Sequence, residues 1–212
     1  KVDAHEISED TVNKLKDYLA DNNLNNVKVR INQYSPGSEW GRLFNNKEVG
    51  AGWRYTFGIF ANLFYTILPQ RFFGGDNYNP YTNTINIYSD LAAIVRHEGG
   101  HAKDFAKVEY KGTYAAIYII PFVPLHHEAE ATSDALSYMK NRQQVADQKD
   151  GYKVLYPAYC TYIGGGASGF VPPPASYIVQ ALAVIPGHIV GRHKASQLED
   201  IKNTEKENND RK

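Results

Sequence analysis

The sequence has very little cysteine, no excess of charge of either sign and no long apolar run. Cys160 is the single cysteine among 212 residues, so no disulfide can form within the chain, and one thiol does not distinguish an oxidising from a reducing compartment. Lysine plus arginine equals aspartate plus glutamate at 23 each, which leaves no basis for binding a polyanion. We therefore expect no nucleic-acid partner.

No apolar run reaches the roughly 18 to 20 residues that cross a bilayer. The longest apolar stretches are residues 113–125 and 177–190, and both contain proline. We expect both to be buried core, with peripheral membrane contact as the alternative. The chain begins at Lys1 with neither a methionine nor a signal-like segment, so we expect a mature or trimmed chain.

Hydrophobic spacing predicts helices with short strands between them. Residues 8–23 are typical of a helix that Ser8 can cap, because apolar side chains recur there every three or four positions. Residues 27–31 alternate between apolar and polar, which predicts a strand with one buried face, and residues 84–88 alternate in the same way. These features predict an α+β fold with a small mixed sheet.

Two further helices carry the residues with chemical potential. The first follows a cap at Ser89 or Asp90 and runs to about Phe105, and the second runs from about His127 to Asn141. We find no internal repeat and no second domain with its own core.

We therefore expect a single domain over residues 1–196, followed by a charged, flexible tail over residues 197–212. The glycine- and proline-rich residues 162–176 are expected to form a loop. Residues 49–75 are apolar and aromatic without a single period, and predict neither helix nor strand throughout.

The segment HEGGH, from His97 to His101, has the spacing of a zinc-binding helix. Residues four apart lie on the same face of a helix, so the two imidazoles would converge on one point. Glu98 lies beside them, placed to act on a water molecule that the ion activates. Gly99 and Gly100 cost the helix about 1 kcal/mol each relative to alanine. Either a neighbouring backbone packs closely against them, or packing and zinc binding outweigh the cost.

A catalytic zinc ion needs a third protein ligand, and the second helix offers carboxylates. Glu130 and Asp134 are four apart, so Glu130 can be the third ligand while Asp134 accepts a hydrogen bond from the non-ligating nitrogen of a histidine. Glu128 is the main alternative to Glu130, and His126 and His127 stay open as ligands as well.

H-E-x-x-H followed downstream by E-x-x-x-D resembles the glutamate-type zinc metallopeptidases, the gluzincins. Within them, EAEATSDALSY is most similar to the Ste24/HtpX-like family, and EATSD also resembles the glutamate helix of the thermolysin family. The resemblance covers about residues 76–140 and implies a zincin-like fold. It further implies that His97, His101 and Glu130 bind one catalytic zinc ion and that Glu98 is the general base.

The resemblance also implies where a substrate binds. The strand just before the zinc helix, at residues 84–88, would be an edge strand that holds an extended polypeptide by strand addition. A downstream histidine stabilises the transition state in that family, and we assign that role to His188, although its spacing departs from the family pattern. The linker between the two helices is too short for a pair of membrane helices, which implies a soluble or peripheral form.

We predict a zinc-dependent endopeptidase that cleaves extended or unfolded polypeptides. The alternative is a zinc-stabilised, non-catalytic binding or chaperone-like module of the cell envelope, with residues 113–125 and 170–190 as its docking face. The presence of Glu98 argues against that alternative, because a binding module needs no general base. Hydrolysis of a non-peptide amide stays open. The resemblance favours the cell envelope or secretion, and a cytoplasmic location and the oligomeric state also stay open.

Overall fold

The computed structural model describes residues 4–68 and 75–210, with side chains as far as residue 198. The chain divides into two compact units, Lys1–Ala131 and Thr132–Lys212, where sequence analysis expected one domain over residues 1–196. Within the described ranges, no helix is both long enough and apolar enough to cross a membrane.

The first unit is mostly helical and carries a small sheet. Helix α1 (Glu9–Asp21) precedes the first strand of the sheet. Between the first and second strands lie α2 (Pro36–Asn45), α3 (Ala51–Trp53) and α4 (Ile59–Ile67), with a π-helical turn (Arg54–Gly58) between α3 and α4. Those after the sheet are α5 (Ala92–Lys107), α6 (Lys111–Ala116), a 3-10 turn (Ile117–Ile119) and the start of α7 (Val123–Asn141). The undecided residues 49–75 are thus helical from Ala51 to Ile67, and residues 69–74 lie outside the described part.

The predicted cap of α1 is confirmed, whereas the predicted cap of α5 is wrong. The Ser8 hydroxyl oxygen accepts a hydrogen bond from the Thr11 N–H, which satisfies one of the free donors at the start of α1. Helix α5 begins after Leu91 without a side-chain cap. Asp90 accepts hydrogen bonds from the backbone and hydroxyl of Ser8, and Ser89 bonds to Asp76.

Three strands form a mixed sheet in the order β1-β3-β2: β1 (Lys28–Ile31), β2 (Asn77–Asn79) and β3 (Thr84–Ile87). Strand β3 runs parallel to β1 and antiparallel to β2. The sheet and the helices confirm the α+β class. The prediction of an edge strand at residues 84–88 is wrong, because β2 and β1 flank β3 on either side and every residue of β3 is buried. The edge strands are β1 and β2.

The buried residue of β1 is an arginine rather than one of the alternating apolar residues. Val29 and Ile31 are half-buried, whereas Arg30 is only 3% exposed. Its guanidinium pairs with the carboxylate of Glu39 on α2 at 2.7 Å, and Glu39 is 1% exposed. The two opposite charges are paired, which offsets the desolvation cost of burying each of them.

The second unit contains two long helices after the end of α7: α8 (Val145–Ser168) and α9 (Ala175–Asp210). They pack along each other as a hairpin joined by residues 169–174. The predicted loop over residues 162–176 is therefore wrong for most of its length, because α8 continues through its three consecutive glycines. Helix α9 also continues through the predicted tail as far as Asp210.

The prediction that residues 177–190 are buried core is wrong. Along this part of α9 the large apolar side chains are exposed: Tyr177, Ile178, Leu182, Ile185, Ile189 and Val190. Residues 113–125 are mixed, since Ala115 and Ala116 are buried whereas Ile119 is 72% exposed.

Candidate metal centre

Two glycines allow α5 to approach its neighbours closely. A Cβ atom on Gly100 would lie 2.9 Å from the backbone oxygen of Ala131 on α7 and 3.0 Å from its Cα atom. A Cβ atom on Gly99 would lie 2.6 Å from the ring of Tyr18 on α1, which is fully buried. Both distances are shorter than real Cβ contacts, so a larger residue would push these elements apart. Close packing therefore explains both glycines of the HEGGH segment.

This packing brings three ligand-type side chains together. His97 and His101 project from α5, and Glu128 projects from α7. Their ligand atoms all lie within 4.8 Å of one another, and each of the three residues is largely buried. The Nε2 atoms of the two histidines are 3.1 Å apart, His97 Nε2 is 3.1 Å from Glu128 Oε2, and His101 Nε2 is 3.4 Å from Glu128 Oε1.

These separations fit a tetrahedral ion. Zinc binds imidazole nitrogen and carboxylate oxygen at about 2.0–2.2 Å, and atoms at tetrahedral corners at that radius are about 3.3–3.6 Å apart. The donor set of two imidazoles and one carboxylate is also one that catalytic zinc uses, leaving a fourth position for water or substrate. His97, His101 and Glu128 could therefore hold a divalent ion.

The charges of the three groups are coupled. Burial lowers the pKa of His97, and its hydrogen bond with the Glu128 carboxylate acts in the opposite direction. Burial acts in the same direction on His101, but its hydrogen bond with Glu128 and that carboxylate's charge outweigh it and raise the pKa of His101. Burial alone would raise the pKa of Glu128, but the two histidines outweigh it and hold that pKa well below its usual range.

Glu98 is buried beside this group with a strongly shifted pKa. It is 6% exposed, and burial raises its pKa to about 8, with further contributions in the same direction from the negative charges of Asp76 and Glu128. The charge of His101 and a hydrogen bond from the backbone N–H of Tyr78 act in the opposite direction. A carboxyl group that exchanges its proton near neutral pH is typical of a general base.

Tyr78 belongs to edge strand β2, and so the edge of the sheet borders the centre. In the β2–β3 pair, Tyr78 lies opposite Ile85. Asp76, next to the start of β2, accepts hydrogen bonds from the N–H groups of Tyr88 and Ser89 at 2.7 Å and 3.0 Å, and from the Ser89 hydroxyl at 2.5 Å. Asp76 therefore ties β2 to the end of β3.

A tyrosine that sequence analysis did not select orients Glu128. The hydroxyl of Tyr118, in the 3-10 turn, donates to Glu128 Oε1 at 2.9 Å. Such a donor fixes the orientation of a ligating carboxylate. Its only signal in the sequence is its place in the linker between the two ligand-bearing helices, where several tyrosines occur.

His127 is fully buried among aromatic rings and is not one of the three converging residues. Its ring lies 4.2 Å from that of Tyr114 and 4.4 Å from that of Tyr118, measured between centroids. Its Nδ1 atom is 3.7 Å from Asp104 Oδ2, and Asp104 accepts a hydrogen bond from the Tyr114 hydroxyl at 2.7 Å. His126 is exposed.

The structure places Glu128, rather than the predicted Glu130, with the two histidines. Residues two positions apart in a helix differ by about 200° around its axis, so a helix that directs Glu128 at α5 directs Glu130 away from it. Glu130 is accordingly exposed. The buried residues Ala131, Ala135 and Met139 continue the face that carries Glu128, and this apolar spacing is the sequence signal that could have identified it.

The other two predicted site residues belong to the second unit. Asp134 is half-buried on α7, and His188 is exposed on α9.

No protein family, curated protein or solved structure matches this chain. Any assignment of function therefore depends on the chemistry of the centre itself, within a small α+β unit.

Proposed function

We propose that this protein is a zinc-dependent peptidase of the gluzincin type that cleaves extended or unfolded polypeptides. The observation that carries this proposal is the convergence of His97, His101 and Glu128 beside the buried Glu98. A purely structural zinc site is usually closed by four protein ligands, whereas three ligands with an adjacent buried carboxyl group favour catalysis.

When bound, zinc supplies Lewis acidity, which polarises a carbonyl group and makes water a stronger acid. Glu98 then acts as the general base, taking a proton from water as it attacks and passing that proton to the leaving nitrogen. The raised pKa of Glu98, about 8, favours the second of these steps, because the protonated form is accessible at neutral pH. A nearby cation lowers that pKa and so favours the first.

Edge strand β2 takes the substrate-binding role that sequence analysis assigned to residues 84–88. Among the described residues no strand pairs with the outer side of β2, and the Tyr78 N–H of this strand bonds to Glu98. An extended polypeptide added along β2 would therefore pass the base. An unfolded or extended segment offers such a strand most readily, which supports unfolded or extended substrates.

An apolar rim follows Tyr118 in the chain. Ile119, Ile120 and Phe122 are 72%, 49% and 45% exposed, directly after the residue that bonds to Glu128. Exposed apolar side chains next to a polar centre are typical of substrate-binding surfaces. We propose that they contact apolar side chains of the substrate.

The test compares the wild type with Glu98→Gln on an unfolded, fluorescently labelled casein, with bound zinc quantified in both. We expect equal zinc content, cleavage by the wild type, and a loss of about 100-fold or more in the variant. Cleavage that Glu98→Gln does not reduce would rule out this mechanism. If both proteins hold zinc and neither cleaves, the non-catalytic binding module becomes the better interpretation.

A further inference from the structure

The tip of the α8–α9 hairpin presents exposed apolar side chains on a framework without formal charge. Its exposed residues include Phe170, Tyr177, Ile178, Leu182, Ile185 and Ile189, with Phe170 72% exposed. Between Lys153 and Arg192 the sequence contains no aspartate, glutamate, lysine or arginine, and His188 is its one ionisable side chain apart from cysteine and tyrosine. Exposed apolar surface of this extent indicates a partner.

Three polar side chains of the hairpin donate hydrogen bonds within it. Gln180 Nε2 donates to Ser168 Oγ at 2.9 Å, across the two helices, and Ser168 Oγ donates to the Gly165 carbonyl at 2.9 Å. Thr161 Oγ1 donates to the Ala158 carbonyl at 2.6 Å. A surface that enters hydrocarbon must satisfy its polar groups internally, whereas one that docks a protein can leave them for the partner.

The backbone of the connecting turn is satisfied in the same way. The N–H groups of Phe170 and Val171 donate to carbonyls at the end of α8. Those of Ser176 and Tyr177 donate to carbonyls in the turn. The three residues from Pro172 to Pro174 have no N–H group at all. Few backbone N–H groups at the tip therefore depend on water for a hydrogen bond, and few would lose one if the tip left water.

The two helices approach each other through small residues. A Cβ atom on Gly164 would lie 2.7 Å from the side chain of Ala183, and one on Gly187 would lie 2.6 Å from the backbone oxygen of Tyr156. Small residues at a helix pair are typical of membrane helices, where close backbone packing replaces the hydrophobic effect. The apolar side chains are directed outwards instead.

Positive charge and tyrosine rings border the apolar part. Lys153 and Arg192 are exposed, and Lys194 Nζ lies 5.8 Å and 6.0 Å from the ring centroids of Tyr152 and Tyr156. Acidic residues begin beyond this band, at Asp150 and Glu199. Tyrosine with lysine or arginine is the composition found at the level of lipid headgroups, and its charge is complementary to anionic lipid.

We propose that the α8–α9 hairpin inserts its tip into one leaflet of an anionic membrane and anchors the protein there without crossing the bilayer. At 1.5 Å per residue, the uncharged part of α8 is about 22 Å long, which exceeds one half of a hydrocarbon core of about 30 Å but not the whole. Both ends of the hairpin therefore stay on the same side of the membrane. This inference is independent of the peptidase activity.

The first experiment is flotation of the full chain with vesicles of phosphatidylcholine alone or with one quarter phosphatidylglycerol. We expect the wild type to float with the anionic vesicles and more weakly with the neutral ones. Phe170→Asp should lower the bound fraction about tenfold, because a charge at the tip would enter hydrocarbon. Tyr110→Asp is the matched control: Tyr110 is an aromatic residue, 71% exposed, in the first unit, and its replacement should change nothing.

Two further measurements separate this proposal from docking of a second copy. Arg192→Glu should weaken binding to anionic vesicles and leave binding to neutral ones unchanged. Phe170→Trp introduces a tryptophan at the tip, and lipids brominated in the acyl chain should quench its fluorescence. The quenching should exceed that of the wild-type tryptophans. A wild type that fails to float, a Phe170→Asp variant that floats as well as the wild type, or a tip that only mediates dimers in sedimentation would each overturn the proposal.

Discussion

Gly100 on α5 lies against the backbone of Ala131 on α7, and this contact sets the distance between the histidines and Glu128. Gly100→Ala places a Cβ atom 2.9 Å from the Ala131 oxygen, so the helices must separate. We expect the free energy of unfolding to fall by about 1–3 kcal/mol, and zinc affinity to fall about tenfold or more, as measured by chelator competition.

Gly41→Ala is the control for that substitution. Gly41 lies inside α2 with nothing near its Cβ position, so alanine there should stabilise the helix by up to about 1 kcal/mol and leave zinc affinity unchanged. Equal zinc affinity in Gly100→Ala and the wild type would contradict the role given to the contact.

Glu128 and Glu130 form a matched pair for testing the third ligand. Glu128→Gln removes a buried carboxylate that faces both histidines, and we expect zinc stoichiometry after dialysis to fall from near one to well below one half. Glu130→Gln changes an exposed residue of the same helix and should bind zinc as the wild type does. The reverse result would restore the assignment that sequence analysis favoured.

Tyr118→Phe tests the orientation of the Glu128 carboxylate. Removal of the hydroxyl deletes the hydrogen bond to Glu128 Oε1 and should lower zinc affinity about tenfold with little change in the melting temperature. Tyr110→Phe removes a hydroxyl from an exposed ring and should have no effect. Unchanged affinity in Tyr118→Phe would mean that the histidines alone position the carboxylate.

The raised pKa of Glu98 predicts a pH dependence of stability in the metal-free protein. Its pKa in the folded state is about 8, against 4.5 for an unperturbed glutamate, so folding favours the protonated form. The contribution of the protonated Glu98 to the free energy of unfolding is therefore complete below pH 4.5 and is lost as the pH rises towards 8 and above. The glutamine of Glu98→Gln does not ionise, so the variant should not lose stability in this way. We expect it to be more stable than the wild type by a few kcal/mol at pH 9.

Urea unfolding at pH 4.5, 7 and 9, in the presence of a chelator, measures this effect. The two proteins should converge at the lowest pH, where the wild-type carboxyl is also protonated. Parallel curves for wild type and variant across the whole range would show that Glu98 is not desolvated in the folded protein.

The buried pair of Arg30 and Glu39 predicts a large stability effect far from the centre. Glu39→Ala leaves the Arg30 guanidinium buried without its counter-charge, and also removes the acceptor of the Thr84 hydroxyl. We expect a loss of about 3–5 kcal/mol in the free energy of unfolding. The exposed pair of Lys14 and Asp10 is the comparison, and Asp10→Ala should cost less than about 1 kcal/mol.

The sequence predicts helix α5 well because its signal is local. A run of apolar spacing that ends near Phe105 corresponds to α5, which ends at Lys107. The pair His97 and His101 needs only helical geometry to converge. Glu128 could not be chosen from the E-x-x-x-D spacing, because that pattern places Glu130 and Asp134 on one face without showing which face meets α5.

Features that depend on partners distant in the chain were harder to predict. Residues 84–88 alternate like a strand with one buried face, but β3 has a neighbouring strand on each side, and side chains on both of its faces are buried. The Arg30–Glu39 pair reverses the expected inner face of β1 in the same way. The apolar residues of α9 suggested core, since composition alone cannot distinguish a buried helix from one whose apolar face is exposed.

Asp76 gives edge strand β2 a fixed register. Its carboxylate accepts three hydrogen bonds from Tyr88 and Ser89, and two residues later the Tyr78 N–H meets Glu98. A slip of one residue would turn that N–H to the opposite edge of the strand and move every side chain of β2 to the other face. A carboxylate that is not among the three converging residues thereby determines which residue of the strand meets Glu98.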